Sequence, residues 1–385
     1  MIYLDNSATT KIHSSTLDVI SKFYMDEFYN PASSYPPAVS LDKEIDSVRA
    51  LFDKYGFKQE EVVFTSGGTE SNNIAILGSV NKYRKPRTII TSISEHPSVY
   101  NVFQYLKETT QNTIEFIGLN QDGTVNLEQL KSVLTEETGL VSVMQVNNET
   151  GAVNDLGSIR QMIDSINPMI RFHSDGVQAF CKIESGKSTL PCDLYSISGH
   201  KIHGPKGIGC LLAKKDISFE GVQLGGGQEF GKRSGTLNVP GIMGLGNAIK
   251  EYQENRCSWI ETMRNCKIRL YENLSSIQDS IVNGPDPVND SISAPHILNM
   301  SFMGVRGEVL LNALAGKGVF VSNGSACSSR KINKNRILNA MGIKGERQTS
   351  AIRFSLSPDN TIDEMDLVSE ILFEQVLFLR KYTRR

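Results

Sequence analysis

The sequence predicts an α/β fold, a mostly parallel sheet covered on both faces by helices, joined to a smaller α+β unit. Two observations carry this. From about residue 15 to about residue 255, short apolar runs of strand length alternate with helical patterns, the order that builds parallel sheets through crossovers. Five of those runs end in polar residues, so their side chains gather along one sheet edge, where open α/β sheets place ligands. The pattern changes after about 255, which makes 15–255 the large unit and 256–385 the bulk of the small one.

Each element has a local reason. Val62-Val63-Phe64-Thr65 runs into Ser66-Gly67-Gly68-Thr69, and Ile74, Ala75, Ile76, Leu77 and Val80 continue with helical spacing. The glycines let the backbone approach a ligand, Thr69 suits a helix cap, and free amides at a helix start favour an anion such as phosphate. An ordinary cap explains that turn equally well. Thr88-Ile89-Ile90-Thr91 leads to Glu95-His96-Pro97, a strand over Leu140 to Val146 leads to Asn147-Asn148-Glu149, and Ile170-Arg171-Phe172-His173-Ser174 leads to Asp175. Asp193 to Ile197 reads as a short strand that delivers Ser198-Gly199-His200-Lys201 ahead of the turn Gly204-Pro205-Lys206-Gly207. A capping role explains any one of these, but five at one edge argue for a site. In the smaller unit, Ile297 to Phe302 and Ala351 to Leu356 read as strands, and Glu308 to Ala315 as a helix ended near Gly316 and Gly318. A last helix opens on the capping box Thr361-x-x-Glu364, with Leu367, Ile371, Val376 and Leu379 on or near one apolar face.

The chemistry follows from residue types. Lys201, just beyond a strand's carboxyl end, suits a Schiff base with an aldehyde cofactor; pyridoxal phosphate also needs a phosphate cradle and a carboxylate for its ring nitrogen. Gly68 and Thr69 supply the first and Asp175 the second. Six cysteines, at 181, 192, 210, 257, 266 and 327, include no Cys-x-x-Cys pair, which argues against a zinc site or a disulfide framework. Cys181, Cys192 and Cys210 lie near apolar runs and read as core. Cys327 lies among Ser, Asn and Gly before the basic pair Arg330-Lys331, a setting that exposes a thiol and favours its thiolate. A net charge of −2 and a pI near 6.3 give no footprint for nucleic acid or an anionic membrane. No apolar run reaches membrane-spanning length and the amino terminus lacks a signal-peptide core, so a reducing cytoplasm is the expected setting.

At this point the chain resembles a known family. Leu4-Asp-Asn-Ser-Ala-Thr-Thr10, Thr65-Ser-Gly-Gly-Thr-Glu70, Glu95-His96, Val146-Asn-Asn-Glu149, Ser198-Gly-His-Lys201, Gly225-Gly-Gly-Gln-Glu229, Arg233-Ser-Gly-Thr236, Gly324-Ser-Ala-Cys327 and Ile352-Arg-Phe-Ser355 are similar to the signatures of cysteine desulfurases. These are NifS/IscS-like pyridoxal phosphate enzymes of the class V aminotransferase type, and Gly-Ser-Ala-Cys points to the first group, with its cysteine on a long mobile loop. The resemblance implies fold type I, with residues 1–14 joining 256–385 in the small domain. It implies pyridoxal 5'-phosphate on Lys201, His96 stacked on the ring and moving protons, Asp175 at the pyridine nitrogen, Gln178 at the phenolic oxygen and Asn148 beside the ring. Gly68, Thr69, Ser198 and His200 would hold the phosphate, with Thr236 reaching across a homodimer. Asn30, Asn148 and Arg353 would bind the substrate L-cysteine, and Cys327 would take its sulfur as a persulfide, releasing alanine, then pass it to an acceptor protein.

The chain departs from that family in places. Asn30-Pro-Ala-Ser-Ser-Tyr35-Pro-Pro-Ala38 carries Tyr35 and Ala38 where relatives have His and Gly at the entrance, and Ser174 and Gly176 flank Asp175 where relatives often have Val and Ala, the latter a change expected to be tolerated. The acceptor stays open between an iron–sulfur scaffold, tRNA or cofactor thiolation and DNA modification. A selenocysteine lyase or another aminotransferase-like enzyme would keep Lys201 and Asp175 without needing Cys327, and a non-catalytic interaction module would leave the site motifs without purpose.

Overall fold

The computed structural model describes residues 1–183, 189–215, 217, 220–323 and 335–383. Its strands, in chain order, are β1 (Ile2–Tyr3), β2 (Val62–Thr65), β3 (Thr88–Ser92), β4 (Thr113–Ile117), β5 (Thr138–Ser142), β6 (Arg171–Asp175), β7 (Leu194–Ser198), β8 (Gly209–Ala213), β9 (Ser280–Val282), β10 (Ile297–Phe302), β11 (Val319–Phe320) and β12 (Ala351–Ser355). The helices are α1 (Ser14–Met25), α2 (Pro36–Ala50), α3 (Gly68–Val80), α4 (Pro97–Thr109), α5 (Leu127–Val133), α6 (Leu156–Ile166), α7 (Val239–Ser275), α8 (Gly307–Gly316), α9 (Arg336–Ala340), α10 (Gly345–Thr349) and α11 (Ile362–Thr383).

The large sheet has the order β2-β8-β7-β6-β5-β3-β4. Pairings β3–β4, β3–β5, β5–β6 and β6–β7 are parallel, while β8 runs antiparallel to both β2 and β7. Six strands therefore point the same way, and their carboxyl ends share one edge. Every residue of β5, β7 and β8 is buried, as expected of a sheet covered on both faces. Gly209 opens β8 at the site edge; a Cβ there would lie 2.4 Å from the Ile197 carbonyl oxygen and 2.7 Å from Gly67 Cα, so its bare backbone lets the ends of β2 and β7 close together.

A second core joins the chain's beginning to its last third. β1 pairs in parallel with β11, Asp5 bridges Ser355, and Ile2 and Leu4 pack with β10, β12, α8 and α11. α7, of 37 residues, serves both cores: Ile242, Leu245, Ile249 and Tyr252 sit under the large sheet, whereas Cys266, Leu270 and Leu274 belong to the second core. The boundary placed at residue 255 thus falls inside one continuous helix. α11 starts on its capping box, with Glu364 N–H donating to Thr361 Oγ1 at 3.2 Å and Thr361 N–H to Glu364 Oε2 at 3.3 Å.

Two local expectations need correction. Thr69 does not cap α3: the cap position is Gly67, Thr69 lies inside the first turn, and Glu70 reaches back to the Ser66 amide instead. The strand expected over Leu140 to Val146 is regular only through Ser142, although beyond it Val143 N–H still donates to the His173 carbonyl at 3.1 Å and Gln145 N–H to the Asp175 carbonyl at 3.0 Å; at Met144, between them, remote side chains take the backbone polar groups. Glu95 Oε1 accepts from Met144 N at 2.7 Å, and Asn154 Nδ2 donates to Met144 O at 2.8 Å.

Candidate active site

Two hydrogen-bonded chains meet at the shared edge. The first starts at Asp175, the last residue of β6 and 4% exposed. Its Oδ1 accepts from Val177 N at 3.0 Å and its Oδ2 from Asn72 Nδ2 at 2.8 Å. The same Asn72 nitrogen reaches Ser98 Oγ at 2.9 Å, and Ser98 Oγ lies 2.8 Å from His96 Nδ1. Because Ser98 N–H also donates to Nδ1, at 3.2 Å, the proton of the neutral ring falls on Nε2. Burial pulls the His96 pKa down and the charges of Lys201 and Arg336 add to that, against the opposing pull of Asp175. The ring is thus held neutral at the N-cap of α4.

The second chain starts at Lys201, in the short turn that follows β7. Its Nζ donates to the carbonyl oxygens of Ser7 at 2.5 Å and Ala8 at 2.6 Å. Gln178 Nε2 donates to the same Ser7 oxygen at 3.0 Å, and Gln178 Oε1 accepts from Lys182 Nζ at 3.2 Å. His200 Nδ1 lies 3.1 Å from Thr9 Oγ1, and burial with the nearby lysine charges pulls its pKa to about 4.

Between these chains lies the Gly67-Gly68 turn. A Cβ at Gly68 would stand 2.6 Å from Val177 Cγ2 and 3.6 Å from Ser198 Cβ, so glycine is what lets the helix start close against β7 and the residue after Asp175. The first-turn amides of α3 have no intrahelical acceptor and carry the positive end of its dipole. An amine, a buried carboxylate and an anion cradle on one edge fit pyridoxal phosphate, whose three polar ends require those three groups. Ser198 borders the cradle, while Thr69 is exposed beside it.

Arg353, in β12, donates through Nη2 to Asp5 Oδ1 at 2.6 Å and through Nη1 to the Asn148 carbonyl at 2.9 Å. Its buried Nε has no hydrogen-bond partner among the described residues, which leaves a donor for a further anion. Its backbone pairs in both directions with Ser322, so the chain is tied to β12 just before residue 324. Burial raises the neighbouring Glu149 to about 7.

Other expected residues lie outside these hydrogen-bonded chains. Asn30 is exposed and folds back on the Ala32 amide at 3.0 Å, and Thr236 is exposed beyond the Gly225–Gly227 turn. Cys327 lies outside the described residues. Tyr35 is 46% exposed at the start of α2, edge-on to Tyr29, while Ala38 is fully buried. The glycine at 176 has a specific reason: a Cβ there would fall 1.9 Å from Tyr195 Cζ, so the Tyr195 ring occupies the space that an alanine methyl needs.

Sequence reasoning gave no role to Asn72, Ser98, Asp5, Lys182, Arg336 or the Ser7 and Ala8 carbonyls. A signal existed for Asn72, which sits four residues after Gly68 and so on the same helix face as the cradle. None existed for the carbonyls, which carry no side-chain identity.

A family model described as aminotransferase class-V matches residues 2–368. The chain belongs to the class-V aminotransferase family. A cysteine desulfurase of Nostoc sp. is 38% identical over 384 residues, 99% of this chain and 94% of that one. The cysteine desulfurase IscS of an Escherichia coli strain is 38% identical over 98% of this chain and 93% of its own. A solved NifS-like protein aligns with TM-score 0.89 at 31% identity, covering 98% of this chain and 99% of that one. The structure of SspA in complex with cysteine aligns with TM-score 0.80 at 26% identity over 93% and 99% of the two chains. As a class-V aminotransferase, the chain has the fold type I architecture of pyridoxal phosphate enzymes, with its mostly parallel sheet flanked by helices.

Proposed function

We propose that this chain is a cysteine desulfurase, which converts L-cysteine to L-alanine and transfers the sulfur to Cys327, with pyridoxal 5'-phosphate on Lys201. The observation that carries this is the convergence of the Lys201 amine, the buried Asp175 carboxylate and the Gly67-Gly68 cradle on one sheet edge, in a chain alike over its length to cysteine desulfurases.

Pyridoxal phosphate supplies an electron sink that acidifies the substrate Cα–H bond. The protein does the rest. Asp175, fixed by Asn72 and Val177, holds a negative charge for the pyridine nitrogen, and Gln178 presents its amide on the Lys201 side. Gly68, Thr69, Ser198 and His200 take the phosphate, with Thr236 completing that site from the second subunit of a homodimer. Arg353, oriented by Asp5 and the Asn148 carbonyl, takes the substrate carboxylate, with Asn30 and Asn148 as further substrate contacts. Neutral His96 and Lys201 move protons at the reacting carbon. The Cys327 thiolate attacks the substrate sulfur; the S–S bond forms, the C–S bond breaks, and protonation of the carbon gives alanine. An acceptor protein then takes the persulfide sulfur, in a reducing cytoplasm.

Mass spectrometry after brief exposure of the loaded enzyme to L-cysteine, without reductant, should show one added sulfur on Cys327 and none on the other five cysteines. Alanine release at the wild-type rate from Cys327→Ala would refute the assignment.

A further inference from the structure

Lys182 is a buried amine that the proposed reaction leaves unused, yet it is joined to the site. It is 2% exposed and donates to the neutral Gln178 Oε1 at 3.2 Å, with no carboxylate bonded to it among the described residues. An amide offers oxygen on one side and nitrogen on the other. With Oε1 toward Lys182, Nε2 must face the Ser7 carbonyl; the reverse would set two oxygens against each other and an NH₂ against an amine. The Ser7 oxygen also takes the Lys201 amine, so Lys182, Gln178, Ser7 and Lys201 form one connected chain.

We propose that Lys182 is a positioning residue for the Lys201 site, locking the Gln178 amide in one orientation and setting a second amine at the far end of the hydrogen-bonded chain that holds Lys201. This rests on the reading of Lys201 as the cofactor lysine.

The surroundings support it. Burial, and secondly the charge of Lys201, brings Lys182 down to about 7, so it is part-charged at neutrality. Among the described residues, the titratable groups that feel it are Lys201, Cys181, His200, His203 and His296, and none of these is a carboxylate that would neutralise it. Lys267 makes a contrast: it is as deeply buried but donates to Ser293 Oγ and the Ala294 carbonyl, both at 3.0 Å, in the second core.

The test uses full-length protein reconstituted with pyridoxal phosphate, reading the pH midpoint of its visible band and the cofactor dissociation constant. Lys182→Met should raise the midpoint by about one unit, since a neighbouring positive charge is removed, and weaken cofactor binding by roughly tenfold, the equivalent of one net hydrogen bond. Lys182→Arg keeps donor and charge and should keep the midpoint at or below that of the wild type. Lys267→Met should lower the melting temperature and leave both readings alone, as loss of a merely structural lysine does. An unchanged midpoint in Lys182→Met overturns the proposal; should that variant not fold, a raised midpoint in Lys182→Arg overturns it. Failure of the underlying reading is separate, appearing as a borohydride-reduced adduct away from Lys201 in the wild type.

Discussion

Substituting Gly176 with alanine tests how tightly the Asp175 corner is built. The added Cβ would lie 1.9 Å from Tyr195 Cζ, 2.2 Å from Cε1 and 2.3 Å from the hydroxyl oxygen. Non-bonded carbons settle at about 3.5–4.0 Å, so the ring must retreat by about 2 Å. It has little room: Tyr195 is 1% exposed and its hydroxyl donates to Gln145 Oε1 at 2.6 Å. Overpacking costs about 1–3 kcal/mol, and a buried hydroxyl torn from its acceptor costs about 1–3 kcal/mol more. A loss of about 4 kcal/mol, spread over an unfolding entropy of roughly 0.8 kcal/mol per degree for a chain this long, lowers Tm by about 5 °C. Calorimetry of Gly176→Ala should show this, and cofactor titration should show weaker binding, because Asp175 is the adjoining residue. Adding Tyr195→Leu should restore most of the lost stability, while Tyr195→Phe, which keeps Cζ and Cε1, should not. A single mutant that melts like the wild type, or equal rescue by Phe and Leu, would refute the reasoning.

Asn72→Ala removes the bridge between Asp175 and Ser98 and should weaken pyridoxal phosphate binding by roughly tenfold in equilibrium dialysis; unchanged affinity would make the bridge incidental. His173 is fully buried between Ser142 Oγ and Ser196 Oγ, and burial lowers it from 6.5 to about 3. The unfolded chain therefore binds that proton more readily. Its contribution is complete above about pH 6.5 and is lost as pH falls toward about 3, at about 1.4 kcal/mol per pH unit. His173→Gln should flatten the fall of unfolding free energy between pH 7 and pH 5 by that slope in urea titrations, and identical slopes would contradict it. Asp5→Asn loosens the guanidinium of Arg353. It should raise KM for L-cysteine by about tenfold with kcat within about twofold, whereas a collapse of kcat alone would place Asp5 in another role.

The elements and the chemistry-bearing strand ends were legible because they are written locally. Apolar runs of strand length, helical spacing after Gly67-Gly68 and the Thr361-x-x-Glu364 box each depend on residues a few positions apart, and each forms as read. Lys201, Asp175 and His96 could be placed at one sheet edge for the same reason, since each ends or follows one of the six strands that run the same way. Distant groups were not legible in the local pattern: past Ser142 the chain still bonds to β6 through Val143 and Gln145, but Glu95 and Asn154 take the polar groups of Met144 between them.

Tertiary structure alone decided which groups hold these residues in place. Lys201 rests on a carbonyl 194 positions away and Arg353 on a carboxylate 348 positions away. Both partners come from the first residues of the chain, carried beside the site by pairing of β1 with β11 and of Asp5 with Ser355. Gly176 against Tyr195 is the same kind of fact, a volume shared across adjacent strands that neither residue announces. Periodicity specifies which face of an element is buried; what that face meets depends on how the whole chain closes, and there the amides, carbonyls and buried charges of this site find their partners.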